Sequence, residues 1–372
     1  MSDFLFFEDG KKSIGILFGG ASSEYEVSCV SAASVINEID RSKYTVIPIG
    51  ITKDGKWFVY SGCADNVKNA TWIDDAENLI PAVLSPCSAH GGLLVLNKAE
   101  KKYDIKKLDC IFPVLHGETG EDGIMQGLLK LSNVAFVGCE TRGAAITMDK
   151  AVTKFILEKY GVKQAPWTLL YGEDFISNEE EAVISVESKL NYPVFVKPAN
   201  AGSSKGISKA KDRNELICAI KTALLIDNKI VIEQNVNGRE IEVALLQKYN
   251  EGKKTLVSSV CGEVISGREF YDYEAKYHDD TSKTIVPADI KEEINTKIRS
   301  EAEKIFKALD CRSLSRADFF LSGDEIIFNE INAIPGFTSI SMYPKLFGYM
   351  GYKFSDLIEI LIESAIKEKE DE

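Results

Sequence analysis

The stretch Arg316-Ala-Asp-Phe-Phe320, followed after a short turn by Asn329-Glu-Ile-Asn-Ala-Ile-Pro-Gly336, sets the architecture of this chain. Asp318 sits in one apolar run; Glu330 and Asn332 sit in the next, two residues apart. Residues i and i+2 of a strand point to the same face, so Glu330 projects with Asn332, and Arg316 with Asp318. Ser322-Gly-Asp324 is turn material, and a hairpin through it brings the two pairs together. Two carboxylates and an amide oxygen are hard ligands. With no Cys or His beside them they suit Mg²⁺ carrying nucleotide phosphates rather than zinc. A solvated polar face explains any one of these residues. It does not explain an Arg, an Asp, a Glu and an Asn together on otherwise apolar strands.

Working outward, the chain has 372 residues, 45% hydrophobic and 27% charged, enough for two or three domains with real cores. The net charge of -13 argues against nucleic acid as a partner, so any phosphate site must be local, built from a few lysines and backbone amides. Eight cysteines, Cys29, Cys63, Cys87, Cys110, Cys139, Cys218, Cys261 and Cys311, never form a C-x-x-C pair. In a chain this long that reads as a reducing compartment rather than a disulfide framework. The start, Met1-Ser-Asp-Phe-Leu-Phe-Phe-Glu-Asp, lacks a basic region followed by a long apolar core. No apolar run approaches the roughly 20 residues that span a bilayer. The expected location is cytoplasmic, with no membrane partner.

The first section alternates strands and helices: a strand at Ser13 to Phe18, a helix carrying Val27, Val30, Ala33, Ile36 and Ile39, and a strand at Tyr44 to Ile51. Lys53-Asp-Gly-Lys56 then turns into Trp57-Phe-Val. A strand from Cys110 to Leu115, a helix from about Gly123 to Leu131 and a strand at Val134 to Val137 follow. This pattern implies a parallel sheet with ligand groups at the strands' carboxyl ends. From about Thr147 a compact α+β unit is expected, with helices around Ala151 to Tyr160 and Glu179 to Leu190 and strands at Pro193 to Lys197 and Ile230 to Glu233. Long strands, the hairpin and a helix from about Phe354 to Ile366 complete the chain, with Lys367 to Glu372 expected to fray. The fold class is thus α/β and α+β, divided at 1–146, 147–237 and 238–372.

Val194-Phe-Val-Lys197-Pro-Ala-Asn-Ala-Gly202-Ser-Ser-Lys-Gly206 is a strand, a lysine and a small-residue loop. Glycines let the backbone approach an anion, and successive N–H groups form a cradle. Ser203 and Ser204 add hydroxyl donors. The lysine precedes the glycines, so this is not a P-loop. A Gly/Ser loop alone is as well explained by an ordinary turn; the strand-borne lysine before it favours phosphate. Lys150 offers a second ammonium.

Lys150, the Lys197 loop, Glu233-Gln-Asn-Val236, Glu240, Arg316, Asp318, Glu330 and Asn332 resemble the ATP-grasp ligases in order and spacing. Gly19-Gly-Ala-Ser-Ser-Glu24-Tyr-Glu-Val-Ser28, Leu115-His116-Gly-Glu-Thr-Gly-Glu-Asp-Gly123, Phe270-Tyr-Asp-Tyr-Glu-Ala-Lys276-Tyr277 and Pro335-Gly-Phe-Thr-Ser-Ile-Ser341 narrow the resemblance to the D-alanine–D-alanine ligases. It covers the chain from about residue 13 to its end.

The resemblance implies three domains, a homodimer, and ATP-dependent formation of D-alanyl-D-alanine through a D-alanyl phosphate, a step of peptidoglycan precursor synthesis. It implies two Mg²⁺ or Mn²⁺ ions on Asp318, Glu330 and Asn332. Lys150 and Lys197 would clamp the phosphates under the Ser203–Ser204 loop. Glu233, Gln234 and Val236 would border the adenine, Phe270 and Phe320 would wall it, and Glu240 would bind the ribose. Glu24 would hold the first ammonium, with His116 near its carboxylate. Arg316 and the Gly336 amide would stabilise the oxyanion. Lys276 and Ser341 would hold the second carboxylate, and Tyr277, bonded with Ser203 and Glu24, would close the site.

Gln234 departs from the lysine of many relatives. The Asn69-Ala-Thr-Trp72 and Gly50-Ile-Thr-Lys-Asp-Gly-Lys-Trp57 stretches look like resistance-type relatives that use D-serine, which leaves D-alanyl-D-serine formation as the alternative. Met342 stands where serine-forming relatives tend to carry an arginine, which favours D-alanine as acceptor. Depsipeptide-forming relatives lack the Glu274-Ala-Lys276-Tyr277 ending found here, which disfavours D-lactate. A bicarbonate-using ATP-grasp enzyme would lack that loop altogether, and a catalytically dead nucleotide sensor would not need Arg316, both lysines and all three metal ligands.

Overall fold

The computed structural model describes residues 10–265 and 283–372. Strands β1 (Lys12–Gly19) and β2 (Tyr44–Ile51) are buried along almost their whole length. Strands apolar on both faces belong in the middle of a sheet covered on both sides. β1 pairs in parallel with β2 and, on its other edge, with the strand Cys110–Pro113, which pairs in parallel with Ala135–Phe136. These are the parallel strands expected from the alternating pattern.

The same sheet then continues in a way the sequence reading did not foresee. Beyond β2 run β3 (Trp57–Tyr60), β4 (Leu79–Leu84), β5 (Gly92–Asn97) and β6 (Lys102–Lys107), each antiparallel to its neighbour. With β7 (Cys110–Pro113) and β8 (Ala135–Phe136), the order is β6-β5-β4-β3-β2-β1-β7-β8. The turn at Thr52–Lys56 and the loops at 85–91 and 98–101 are too short for a crossover helix, so those strands return antiparallel; β3 and β4 are joined by a longer segment carrying the helix Ala64–Lys68.

The second sheet is antiparallel, built of β9 (Trp167–Tyr171), β10 (Val194–Pro198), β11 (Ser208–Ala210) and β12 (Lys229–Gln234) in the order β11-β10-β12-β9. One face packs Val194, Val196, Ile230 and Ile232 against the helices Glu179–Glu187 and Arg213–Ala223. The other turns Lys197 and Glu233 toward the helix Lys150–Lys159.

The third sheet contains β13 (Arg239–Asn250), β14 (Lys253–Ser258), β15 (Gly262–Ile265), β16 (Lys283–Ile285), β17 (Leu314–Ser322) and β18 (Glu325–Asn332). Its order is β16-β15-β13-β17-β18, with β14 on β13. The expected hairpin is β17–β18. The last helix runs Phe354–Glu370, past the frayed tail expected from Lys367 onward. Its end is held by ion pairs from Glu368 to Lys254 and Arg312, and by Tyr249 donating to Asp371 at 2.8 Å. The same helix sends Leu357, Ile358, Leu361 and Ile362 into one core with Cys110, Phe112 and Val137 of the first sheet and Ala244 and Leu246 of the third.

Candidate active site

The hairpin register sets Arg316 opposite Asn332 and Asp318 opposite Glu330. Arg316 lays its fork on Asp318, Nε to Oδ1 at 2.8 Å and Nη2 to Oδ2 at 2.7 Å, and its Nε also meets Glu242 Oε2 at 2.9 Å. Asn332 Nδ2 donates to Asp318 Oδ2 at 3.0 Å. Burial alone would lower the Arg316 pKa, but Asp318 and Glu242 raise it well above the ordinary value. It is a fixed buried cation held by charge-assisted bonds. Glu242, the register partner of Asp318 on β13, was missed in the sequence. Its signal was the Glu240-Ile-Glu242 alternation in an apolar run, the same pattern that marked the hairpin.

Glu24 lies just before the helix Tyr25–Glu38 and is 7% exposed. Ser203 Oγ donates to Glu24 Oε1. Ser203 and Ser204 have left-handed backbones, φ 46° and 57°, which curl the loop toward that carboxylate. A Cβ on Gly202 would stand 2.6 Å from Glu24 Oε2, and one on Gly117 2.5 Å. A Cβ at either position would therefore push the Glu24 carboxylate aside, and Gly117, at φ 74°, also holds a left-handed backbone.

His116 is buried, and its Nε2 has no hydrogen-bond partner among the described residues. Burial lowers its pKa below the ordinary histidine value, against the opposing pull of Glu24, so the ring is neutral at neutral pH. Beside it Glu121 accepts from Gly117 N at 2.8 Å and from Ile334 N at 3.2 Å. Burial, then the Glu24 charge, raise its pKa to about 8. Glu121 was not singled out in the sequence.

Lys150 Nζ donates to the Ala201 carbonyl at 2.5 Å. Burial lowers its pKa, opposed first by Glu330. Lys197 pairs with Glu233 Oε2 at 3.3 Å, and Lys154 pairs with Glu233 Oε1 at 3.3 Å. Burial pushes the Glu233 pKa up, but the two ammoniums more than offset this and hold it below the ordinary value.

A cavity of about 820 Å³ gathers Glu24, His116, Lys150, Ser203, Ser204, Arg316, Glu330, Asn332, Gly336, Ser341 and Met342. Asp318 stands one bond behind this lining, through Arg316. Ser341 Oγ accepts from Thr338 N at 3.1 Å, and Met342 is buried. Lys197, Glu233, Gln234, Val236, Glu240 and Phe320 lie outside the lining. Gln234 Oε1 accepts from Asn191 N at 3.1 Å, and Phe320 is the register partner of Glu240. Phe270, Lys276 and Tyr277 lie outside the described residues.

Three sheets converging on a cavity that joins Lys150, a Gly/Ser loop and a polar hairpin define an ATP-grasp ligase fold. Residues 13–139 match the family model described as D-ala D-ala ligase N-terminus, and residues 156–363 match D-ala D-ala ligase C-terminus. The D-alanine–D-alanine ligase of Clostridium acetobutylicum is 45% identical over 357 residues, covering 95% of this chain and 98% of that relative. The solved VanG D-Ala:D-Ser ligase from Enterococcus faecalis matches with a TM-score of 0.85 at 38% identity, over 95% of this chain and 99% of that one. The D-alanine–D-alanine ligase from Coxiella burnetii matches with a TM-score of 0.80 at 29% identity, over 97% and 95%. The chain belongs to the D-alanine–D-alanine ligase family.

Proposed function

We propose that this enzyme joins two D-alanines at the expense of ATP, supplying D-alanyl-D-alanine for peptidoglycan precursors. The observation that carries the reading is the single cavity gathering Glu24 and His116, Lys150 with the Ser203–Ser204 loop, and Arg316 with Glu330 and Asn332. In the first step the γ-phosphoryl group of ATP passes to the carboxylate of the first D-alanine, giving D-alanyl phosphate and ADP. Glu24 holds that substrate's ammonium and neutral His116 lies near its carboxylate. Lys150 and Lys197 hold phosphates beneath the Ser203–Ser204 loop. In the second step the amine of the second D-alanine attacks the acyl carbon. Arg316 and the Gly336 amide stabilise the oxyanion until phosphate leaves. Ser341 binds the second carboxylate, together with Lys276; Tyr277 closes the site.

Glu233, Gln234 and Val236 border the adenine, Phe270 and Phe320 wall it, and Glu240 binds the ribose. Asp318, Glu330 and Asn332 suit two divalent ions, Mg²⁺ or Mn²⁺. Asn332 turns its Nδ2 to Asp318, which leaves its amide oxygen for a cation. Among the described residues no trio of His, Cys, Asp or Glu gathers for a metal, so phosphate oxygens and water would have to supply the remaining ligands. Such ions would offset phosphate charge. The domain divisions 1–146, 147–237 and 238–372 each hold one of the three sheets. Exposed Ile124 and Leu131 on the helix Ile124–Ser132 support a homodimer, and eight free cysteines support a cytoplasmic location. Among the described residues no helix is long and apolar enough to cross a membrane.

The likeness to a D-Ala:D-Ser ligase makes D-serine the rival acceptor. Met342 favours D-alanine, because a thioether offers no donor for a serine hydroxyl. Purified enzyme given ATP, Mg²⁺ and equal D-alanine and D-serine is expected to favour D-alanyl-D-alanine by roughly one to two orders of magnitude, the scale of a mismatched polar group. A mainly D-alanyl-D-serine product reverses the acceptor assignment. No phosphate release with D-alanine overturns the activity.

A further inference from the structure

Lys154 is 2% exposed, one helical turn after Lys150 and on the same face of Lys150–Lys159. Among the described residues its ammonium forms no hydrogen bond of good geometry, and it meets Glu233 as an ion pair at 3.3 Å. The Trp167 ring centre lies 5.8 Å away. Glu233 is divided between two cations, Oε1 facing Lys154 and Oε2 facing Lys197. The trio carries a net charge of +1 in a buried place. For stability alone, Glu233 and Lys197 would already be neutral as a pair, and a second desolvated ammonium is a cost. Burial accordingly lowers the Lys154 pKa, with Glu233 opposing. A charge that the fold does not need calls for another role.

We propose that Lys154 is a positioning residue for ATP. By holding one oxygen of Glu233 it keeps that carboxylate from closing on Lys197 with both oxygens, leaving the Lys197 ammonium able to take a phosphate. The proposal rests on the reading of Lys197 as a phosphate ligand. Without Lys154 the carboxylate has one cation left, and both of its oxygens turn to Lys197. Lys154 thus acts on the nucleotide through Glu233 and Lys197 and touches neither D-alanine nor the acyl carbon.

The test is calorimetric ATP binding to the full chain with Mg²⁺, alongside melting temperature and the kinetic constants. Lys154→Met is expected to melt at or above the parent temperature while ATP affinity falls about tenfold, the scale of one charge-assisted hydrogen bond. The KM for ATP rises with it, while kcat and both D-alanine KM values stay within about threefold. Lys154→Met/Glu233→Gln should bind ATP as Glu233→Gln alone does, because without the carboxylate there is nothing to restrain. Unchanged ATP affinity in Lys154→Met overturns the proposal, as does failure of that variant to fold. A double variant tenfold weaker than Glu233→Gln also overturns it. Lys197→Met separates the two layers. If it too leaves ATP affinity unchanged, the phosphate reading of Lys197 falls and the proposal with it. If it weakens ATP while Lys154→Met does not, only the proposal falls.

Discussion

The hairpin and the loop after Pro198 hold their polar groups by opposite means. In the hairpin, Arg316, Asp318, Glu330 and Asn332 are neighbours by strand register, and Arg316 and Asn332 both bond Asp318, the farther of them 14 residues away. In the loop, Ser203 and Ser204 take left-handed backbones, and Ser203 reaches a carboxylate 179 residues away in sequence, at the start of the helix Tyr25–Glu38. A charge array set by a sheet is complete whether or not a substrate is present. A loop set by a distant contact is only as well placed as that contact. On the proposed function, the chemistry would sit on the first and the grip on substrate on the second.

The sharpest way to break this contrast is Glu330→Gln, which keeps the shape of the hairpin and removes one charge. We expect kcat to fall by about 10²–10³, the scale of losing a preorganised electrostatic group, with the melting temperature nearly unchanged. Near-normal turnover at saturating Mg²⁺ would remove the hairpin from the chemistry.

A smaller effect of the opposite kind is expected from Gly202→Ala. Its Cβ would stand 2.6 Å from Glu24 Oε2, so the carboxylate must move. Forcing a side chain aside costs about 1–3 kcal/mol, or roughly five- to 150-fold in affinity. Initial rates at varied D-alanine should show the loss in the first D-alanine KM rather than in kcat. A fall confined to kcat would mean that the loop serves the chemistry and not the grip.

The smallest effect lies at the seam. Glu121 joins the Gly117 turn beside Glu24 to Ile334, just beyond the hairpin. Its pKa is raised from 4.5 to about 8 in the folded protein, so between those values the folded state binds a proton that the unfolded state has lost. Stability tied to Glu121 is therefore fully present below about pH 4.5 and drains away as pH rises to about 8. Melting temperatures from pH 5 to 8 should fall more steeply for the parent than for Glu121→Gln, by about 1–2 °C for each kcal/mol that this protonation contributes. Parallel curves would show that Glu121 titrates alike in both states.

The same contrast explains what was legible in the sequence. The hairpin could be read because period-two alternation puts polar residues of one parity on one face, a local rule. The loop's composition was readable, but its tether to Glu24 was visible only through family resemblance. Glu242 obeyed the alternation rule and was passed over because its strand had no turn to pair it with the hairpin. Lys154 had no local signal: a mid-helix lysine is ordinarily solvated, and only the fold buries it. The turn into β3 was read, but β4–β6 escaped because short mixed strands carry weaker periodicity than the buried β1 and β2. The tail was read as frayed because Lys367-Glu-Lys-Glu-Asp-Glu372 is all charge. Its partners Lys254, Arg312 and Tyr249 lie on distant strands and loops.

The last helix has a consequence for the order in which the protein can be made. The ribosome completes β1, β2, β7 and β8 long before Phe354–Glu370 exists. Yet Cys110, Phe112 and Val137 share their core with Leu357, Ile358, Leu361 and Ile362. The helix Tyr25–Glu38 covers part of that side of the first sheet early, but until those leucines and isoleucines emerge its cover is incomplete, the condition in which growing chains aggregate. The first sheet to be translated is among the last to be finished.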